Sequence, residues 1–146
     1  MTSSFSPLTD EQRRALVDAA AEARENAYAP YSKFTVGAAI LTGSGAIFTG
    51  CNVESASYGA TVCGERTAGV KAVSEGERRF DAVAVVTSNA ATPCGICRQF
   101  LYEFGPDMWV IAADPQGKVS YEGPIKDLLP HGFGPAELAE GVEAAE

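Results

Sequence analysis

The chain has 146 residues, 46% of them hydrophobic and 21% charged, which suits one folded domain with a buried core. It sets 11 Lys and Arg against 19 Asp and Glu, and the net charge of −8 argues against a partner rich in phosphates, because gripping nucleic acid takes clustered cations. No apolar run is long enough to cross a bilayer, and the N-terminus lacks the basic-then-apolar form of an export signal, so the expected compartment is the cytoplasm with no membrane partner.

Residues 1–7 are Ser-rich and expected to be loose. Thr9-Asp10-Glu11-Gln12 reads as a capping box, with Thr9 at the N-cap and Gln12 at N3. Leu16, Val17, Ala20 and Ala27 fall on one face of the helix that follows, which is expected to end before Pro30. Two strands come next, 34–41 and 46–51, joined at Thr42-Gly43-Ser44-Gly45 into a hairpin. Gly37 inside the first strand implies that another backbone or a ligand comes close.

After a loop from Asn52 to Ala60, a second helix starts near Cys63 and runs to about Glu75, with Gly76 as its stop. A buried-looking strand covers 80–87. A third helix starts at Cys94, carries Phe100, Leu101 and Phe104 inwards, and ends at Gly105-Pro106. Strands over 108–113 and 118–121 and a short helix over 125–129 complete the pattern. The order is that of a single-domain α/β fold over residues 1–146, an α-β-α sandwich with a mixed five-stranded sheet. The small, acidic stretch 136–146 is expected to be flexible or a frayed helix.

Four cysteines in a reducing compartment are better candidates for metal or catalysis than for disulfides. Three of them open helices: Cys63, and Cys94 with Cys97 in Pro93-Cys94-Gly95-Ile96-Cys97. Helix N-termini favour thiolate over thiol. Three protein ligands leave zinc an open fourth position, where a catalytic site holds water. Glu65, two residues past Cys63, is then the carboxylate that moves protons to and from that water. Cys-x-Glu followed by Pro-Cys-x-x-Cys is a signature of zinc-dependent nucleobase deaminases. One zinc ion per chain is expected. Three thiolates leave a zinc cluster with one negative charge, which Arg66, in the same helical turn as Cys63 and Glu65, is placed to offset; Arg98 is the other cation beside the ligands. The alternatives are a closed structural knot with Cys51 as fourth ligand and a redox pair of Cys94 and Cys97. Neither uses Glu65. His131, the only histidine, has no partner by spacing and is left out of the site.

These residues resemble the cytidine deaminase family, in its small, homotetrameric, three-cysteine class. The resemblance is carried by Tyr31-Ser32-Lys33-Phe34, Gly50-Cys51-Asn52-Val53-Glu54, Ala56-Ser57-Tyr58, Cys63-Gly64-Glu65-Arg66-Thr67-Ala68, Pro93-Cys94-Gly95-Ile96-Cys97-Arg98-Gln99 and Phe133-Gly134-Pro135. It implies hydrolytic deamination of cytidine and 2′-deoxycytidine to uridine and 2′-deoxyuridine, with ammonia released, in pyrimidine salvage. It also implies roles: zinc on Cys63, Cys94 and Cys97, and proton transfer by Glu65. Asn52 and Glu54 would bind the ribose 3′-hydroxyl, Phe34 would pack near the nucleoside, and the Gly64 amide would bind the base O2. Ala56, Tyr58 and Phe133 would be lent to a neighbouring subunit's site in a homotetramer. Residue 64 is usually alanine in the family, and glycine there is expected to leave more room, with tolerance of N4-substituted cytidines as the consequence. The nearest enzymatic alternative is a blasticidin-S-type deaminase; a non-catalytic zinc-binding protein is the alternative of another class.

Overall fold

The computed structural model describes residues 6–145. Helix α1 (Asp10–Arg24) begins at the expected capping box: Thr9 accepts from the Gln12 N–H, and the Gln12 side chain accepts from the Thr9 N–H. Strands β1 (Gly37–Thr42) and β2 (Ile47–Cys51) form the hairpin. Helix α2 (Gly64–Ser74), strand β3 (Phe80–Val86), helix α3 (Gly95–Phe104), strand β4 (Trp109–Ala113) and strand β5 (Val119–Pro124) follow, then helix α4 (Pro135–Ala145). Single 3-10 turns lie at Tyr58–Ala60 and Ile125–Asp127.

The five strands form one mixed sheet in the order β2-β1-β3-β4-β5, with only β3 and β4 parallel. Successive side chains of a strand point to opposite faces, and β3 uses both. Ala82, Ala84 and Val86 face Leu16 and Ala20 of α1, while Val83 and Val85 face Ala68 and Ala72 of α2 and Leu101 of α3. A strand covered on both sides must read as a continuous apolar run, and β3 does from Ala82 to Val86.

Two glycines let the layers close up. A Cβ at Gly37 would sit 1.9 Å from the Ala20 carbonyl oxygen of α1, and one at Gly50 would sit 2.5 Å from the Ala68 amide nitrogen of α2. The close approach expected at Gly37 is therefore to a helix backbone. At Gly50 the same device presses α2, and with it the loop that carries Cys63, against the hairpin. On the far side, Arg13 of α1 grips Glu122 of β5 through Nε at 2.7 Å, and the Trp109 indole donates to the same carboxylate at 2.9 Å.

Several expected boundaries move for local reasons. The first helix stops at Arg24, not just before Pro30. Asn26 and Ala27 make i−3 bonds, so Ala27 lies outside the helix, and Tyr28 leaves to pair with the loop: its N–H meets the Asn52 oxygen and its own oxygen takes the Glu54 N–H, both at 2.9 Å. The first strand begins at Gly37, not Phe34, because the Asn52 side chain occupies the preceding backbone. Its Oδ1 accepts the Val36 N–H at 2.9 Å and its Nδ2 donates to the Phe34 oxygen at 2.8 Å. Strand β5 runs on to Pro124, and the helix expected over 125–129 is a single 3-10 turn. The C-terminal stretch, expected to be flexible or a frayed helix, carries helix α4; of the segment 1–7 expected to be loose, residues 1–5 lie outside the described residues, as does residue 146.

Candidate active site

Cys63 is the N-cap of α2 and Cys94 the N-cap of α3, and neither thiol is spent on capping its helix. Cys97 follows one turn into α3 and is fully buried. The three sulfurs lie within 4.8 Å of one another, with Cys63 and Cys94 3.8 Å apart. Tetrahedral zinc at about 2.3 Å from each thiolate separates its sulfurs by about 3.8 Å, so the donor set fits that ion. Cys51 is not in the cluster, so the closed knot of four cysteines is not formed.

The electrostatics ask for a cation as well. A hydrogen bond from Cys97 outweighs the upward push of burial and, with Arg66, holds the Cys63 thiol down to about 5 from an ordinary 9.0. That same hydrogen bond, with burial, pushes Cys97 upwards. Three thiols this close cannot all ionise against one another without a positive partner, and a divalent ion supplies it.

Arg66 reaches this cluster through Nη2, 3.7 Å from Cys63 Sγ and 3.3 Å from the Thr61 oxygen. Its Nε is buried and finds no acceptor among the described residues. Arg98, the other cation beside the ligands, is occupied elsewhere: it donates to Pro93, Leu128 and Thr92 oxygens at 2.6–2.9 Å.

Glu65 is 4% exposed, on the first turn of α2. Burial, followed by the charge of Cys63, pushes its carboxyl up to about 7 from an ordinary 4.5. It opens with Cys63 and Cys94 onto a cavity of about 250 Å³. Phe34, Asn52 and Glu54, the wall residues expected from the sequence, line it too, together with Val36. Ser32, Thr61 and Thr87 also line it, beyond the residues expected from the sequence. Hydroxyls in loops and at strand ends carry no periodic signal; only the motif Tyr31-Ser32-Lys33-Phe34 held a pointer to Ser32.

Asn52 is held more firmly than a loop reading implies. It is 7% exposed with both ends of its amide on the backbone of Phe34 and Val36, which leaves one N–H uncommitted. At Gly64, the methyl that alanine would add meets Val36 Cγ1 at 3.2 Å, the Val36 oxygen at 3.3 Å and the Cys51 carbonyl carbon at 3.4 Å. The space freed by glycine thus lies against the Val36 wall. Six expected site residues are not among those lining the cavity of the single chain: Gly64, Arg66 and Cys97, on the first turns of α2 and α3, and the exposed Ala56, Tyr58 at 74% and Phe133 at 57%. The Tyr58 ring leans on Tyr31, with centroids 5.9 Å apart, in an adjoining hollow that shares Ser32, Glu54 and Thr61 with the cavity.

A family model described as the cytidine and deoxycytidylate deaminase zinc-binding region matches residues 10–113. A probable cytidine deaminase of Dictyostelium discoideum is 42% identical over 142 residues, covering 95% of each chain. The cytidine deaminase of Halalkalibacterium halodurans is 48% identical over 124 residues, 83% of this chain and 93% of its own. Among solved structures, a cytidine deaminase from Burkholderia pseudomallei superposes with a TM-score of 0.79 at 47% identity, covering 86% of this chain and all of that one. With the sulfur cluster and the buried carboxylate inside the matched span, this chain belongs to the zinc-binding cytidine and deoxycytidylate deaminase family.

Proposed function

We propose that the protein converts cytidine and 2′-deoxycytidine to uridine and 2′-deoxyuridine by hydrolysis, with loss of ammonia. The observation that carries this reading is the buried Glu65 opening into one cavity with two of the three sulfur ligands, an aromatic ring and a second carboxylate. Cys63, Cys94 and Cys97 hold the zinc. When bound, that ion supplies a Lewis acid that makes water nucleophilic near neutral pH.

The chain's own residues do the rest. Glu65, with a carboxyl raised to about 7, can accept and return a proton near neutral pH. It takes a proton from the attacking water and delivers it to N3 of the base as oxygen adds at C4. The water's other proton, left on the new C4 hydroxyl, is passed to the amino nitrogen; the C4–N bond breaks, ammonia departs and the C4 carbonyl forms. The Gly64 N–H lies in the first turn of α2, where no intrahelical acceptor exists, and is free to bind the base O2. Arg66 offsets the net negative charge of three thiolates. Phe34 packs against the nucleoside, and Glu54 with the remaining Asn52 N–H receives the ribose 3′-hydroxyl.

Ala56, Tyr58 and Phe133 complete the pocket from a neighbouring subunit of a homotetramer. Their exposure in the single chain supports this, as does the exposed apolar surface of Tyr28, Tyr31 and Val53 nearby. We place the reaction in pyrimidine salvage in the cytoplasm; no described helix is long and apolar enough to span a membrane. A net charge of −8 supports a free nucleoside substrate over a nucleic acid. The test is conversion of cytidine by the purified protein, followed by ultraviolet absorbance and ammonia release. Equal amounts of uridine and ammonia are expected, and a zinc-loaded protein that leaves cytidine untouched would refute the assignment.

A further inference from the structure

The sugar side of the cavity rests on one tight turn. Lys33 adopts φ 63°, a left-handed conformation uncommon for a residue with a side chain, and its N–H closes on the Ala29 oxygen at 3.0 Å. The turn lays the Tyr31 and Ser32 N–H groups on one oxygen of Glu54, Oε1, at 3.0 and 3.1 Å. The Ser32 hydroxyl donates to the other oxygen, Oε2, and the same Oγ accepts the Phe34 N–H at 3.0 Å. A single hydroxyl therefore ties together two residues of the cavity wall, the carboxylate and the aromatic.

Counting acceptor sites shows what this does to Glu54. A carboxylate oxygen has two lone pairs. Oε1 is filled by two backbone donors, whereas Oε2, among the described residues, takes only the Ser32 hydroxyl and keeps one site open. Left alone, a glutamate side chain samples many rotamers and would lose that freedom on gripping a ligand. Here the three donors have already ordered it.

We infer that Ser32 is a positioning residue for sugar recognition, its hydroxyl fixing Glu54 with one acceptor site left on Oε2 for the ribose 3′-hydroxyl. The inference rests on the reading of Glu54 as a sugar-binding carboxylate, and the two are separable by experiment. Turnover of cytidine is compared with turnover of 3′-deoxycytidine, which lacks the recognised group, in the wild type, Ser32→Ala, Ser32→Thr and Glu54→Gln.

The loss of one charge-assisted hydrogen bond sets the scale: Ser32→Ala should lower kcat/KM for cytidine about tenfold and for 3′-deoxycytidine less than about twofold. Ser32→Thr, which keeps the hydroxyl, should recover most of the loss. Zinc content and melting temperature of Ser32→Ala should match the wild type. Equal losses on both substrates, or no loss on either, would overturn the role of Ser32, provided Glu54→Gln discriminates between the substrates. If Glu54→Gln itself fails to discriminate, the sugar-binding role of Glu54 falls first, and the inference with it.

Discussion

The two ends of the cavity are built by different means. At the metal end, every group comes from the first turn of a helix or its cap: Cys63 and Glu65 from α2, Cys94 and Cys97 from α3. Both helices pack on one face of a sheet covered on both sides, and α2 is pressed to the hairpin at Gly50. At the other end, proposed to take the sugar, Ser32, Phe34 and Glu54 sit on loops held by hydrogen bonds between side chain and backbone, and Phe34 is 39% exposed. Bond-making needs atoms fixed to fractions of an ångström, which packed elements supply. Recognition tolerates loops, and loops at a surface can be completed by another chain. The difference separates a self-contained reaction centre from a rim left open in the single chain.

The largest break in this comparison is at the metal end. Glu65→Gln keeps the shape of the side chain and removes its proton chemistry, so kcat should fall about 10²–10⁴-fold with zinc retained. A steady-state assay with metal analysis would check it. At the rim the effect should be smaller and of another kind. Phe133→Ala should raise KM roughly threefold to tenfold, on the scale of a lost aromatic contact, with kcat nearly kept. A rim complete within one chain would leave KM unchanged.

The smallest effect on catalysis, and a plain one on stability, is expected far from both ends. The Glu122 side chain is 2% exposed and bound to Arg13 and the Trp109 indole. Burial pushes its carboxyl up, but the hydrogen bonds from Arg13 and Trp109 outweigh it and hold it below the ordinary 4.5. A group whose folded pKa is depressed stabilises above its unfolded pKa, and that contribution is lost as pH falls through the folded value. Glu122→Gln should therefore cost about 1–3 kcal/mol at neutral pH, leave kcat/KM alone, and narrow its deficit below pH 4.5. Melting curves across that window would show the narrowing.

How far the sequence could be read follows the same division. The capping box at Thr9 and Gln12 and the helix starts at Cys63 and Cys94 were legible, because caps and metal spacing are local signals. The start of β1 was not. Phe34 to Val36 read as strand, yet the Asn52 side chain, 16 residues from Val36, takes over that backbone. Ala27 fits the α1 pattern, but the chain turns at Asn26 to pair with the loop. The direction of the missing methyl at Gly64 depends on the backbone of Val36 and Cys51, which no spacing rule encodes. The tie from the Ser32 hydroxyl to Glu54 spans 22 residues of chain, a distance that no local pattern encodes.

The most direct test of the account is zinc content and cytidine turnover on one preparation, before chelation, after it and after zinc is returned. The account predicts one zinc per chain on Cys63, Cys94 and Cys97, with turnover that disappears with the metal and comes back with it. Turnover that persists unchanged after the metal is gone would contradict it.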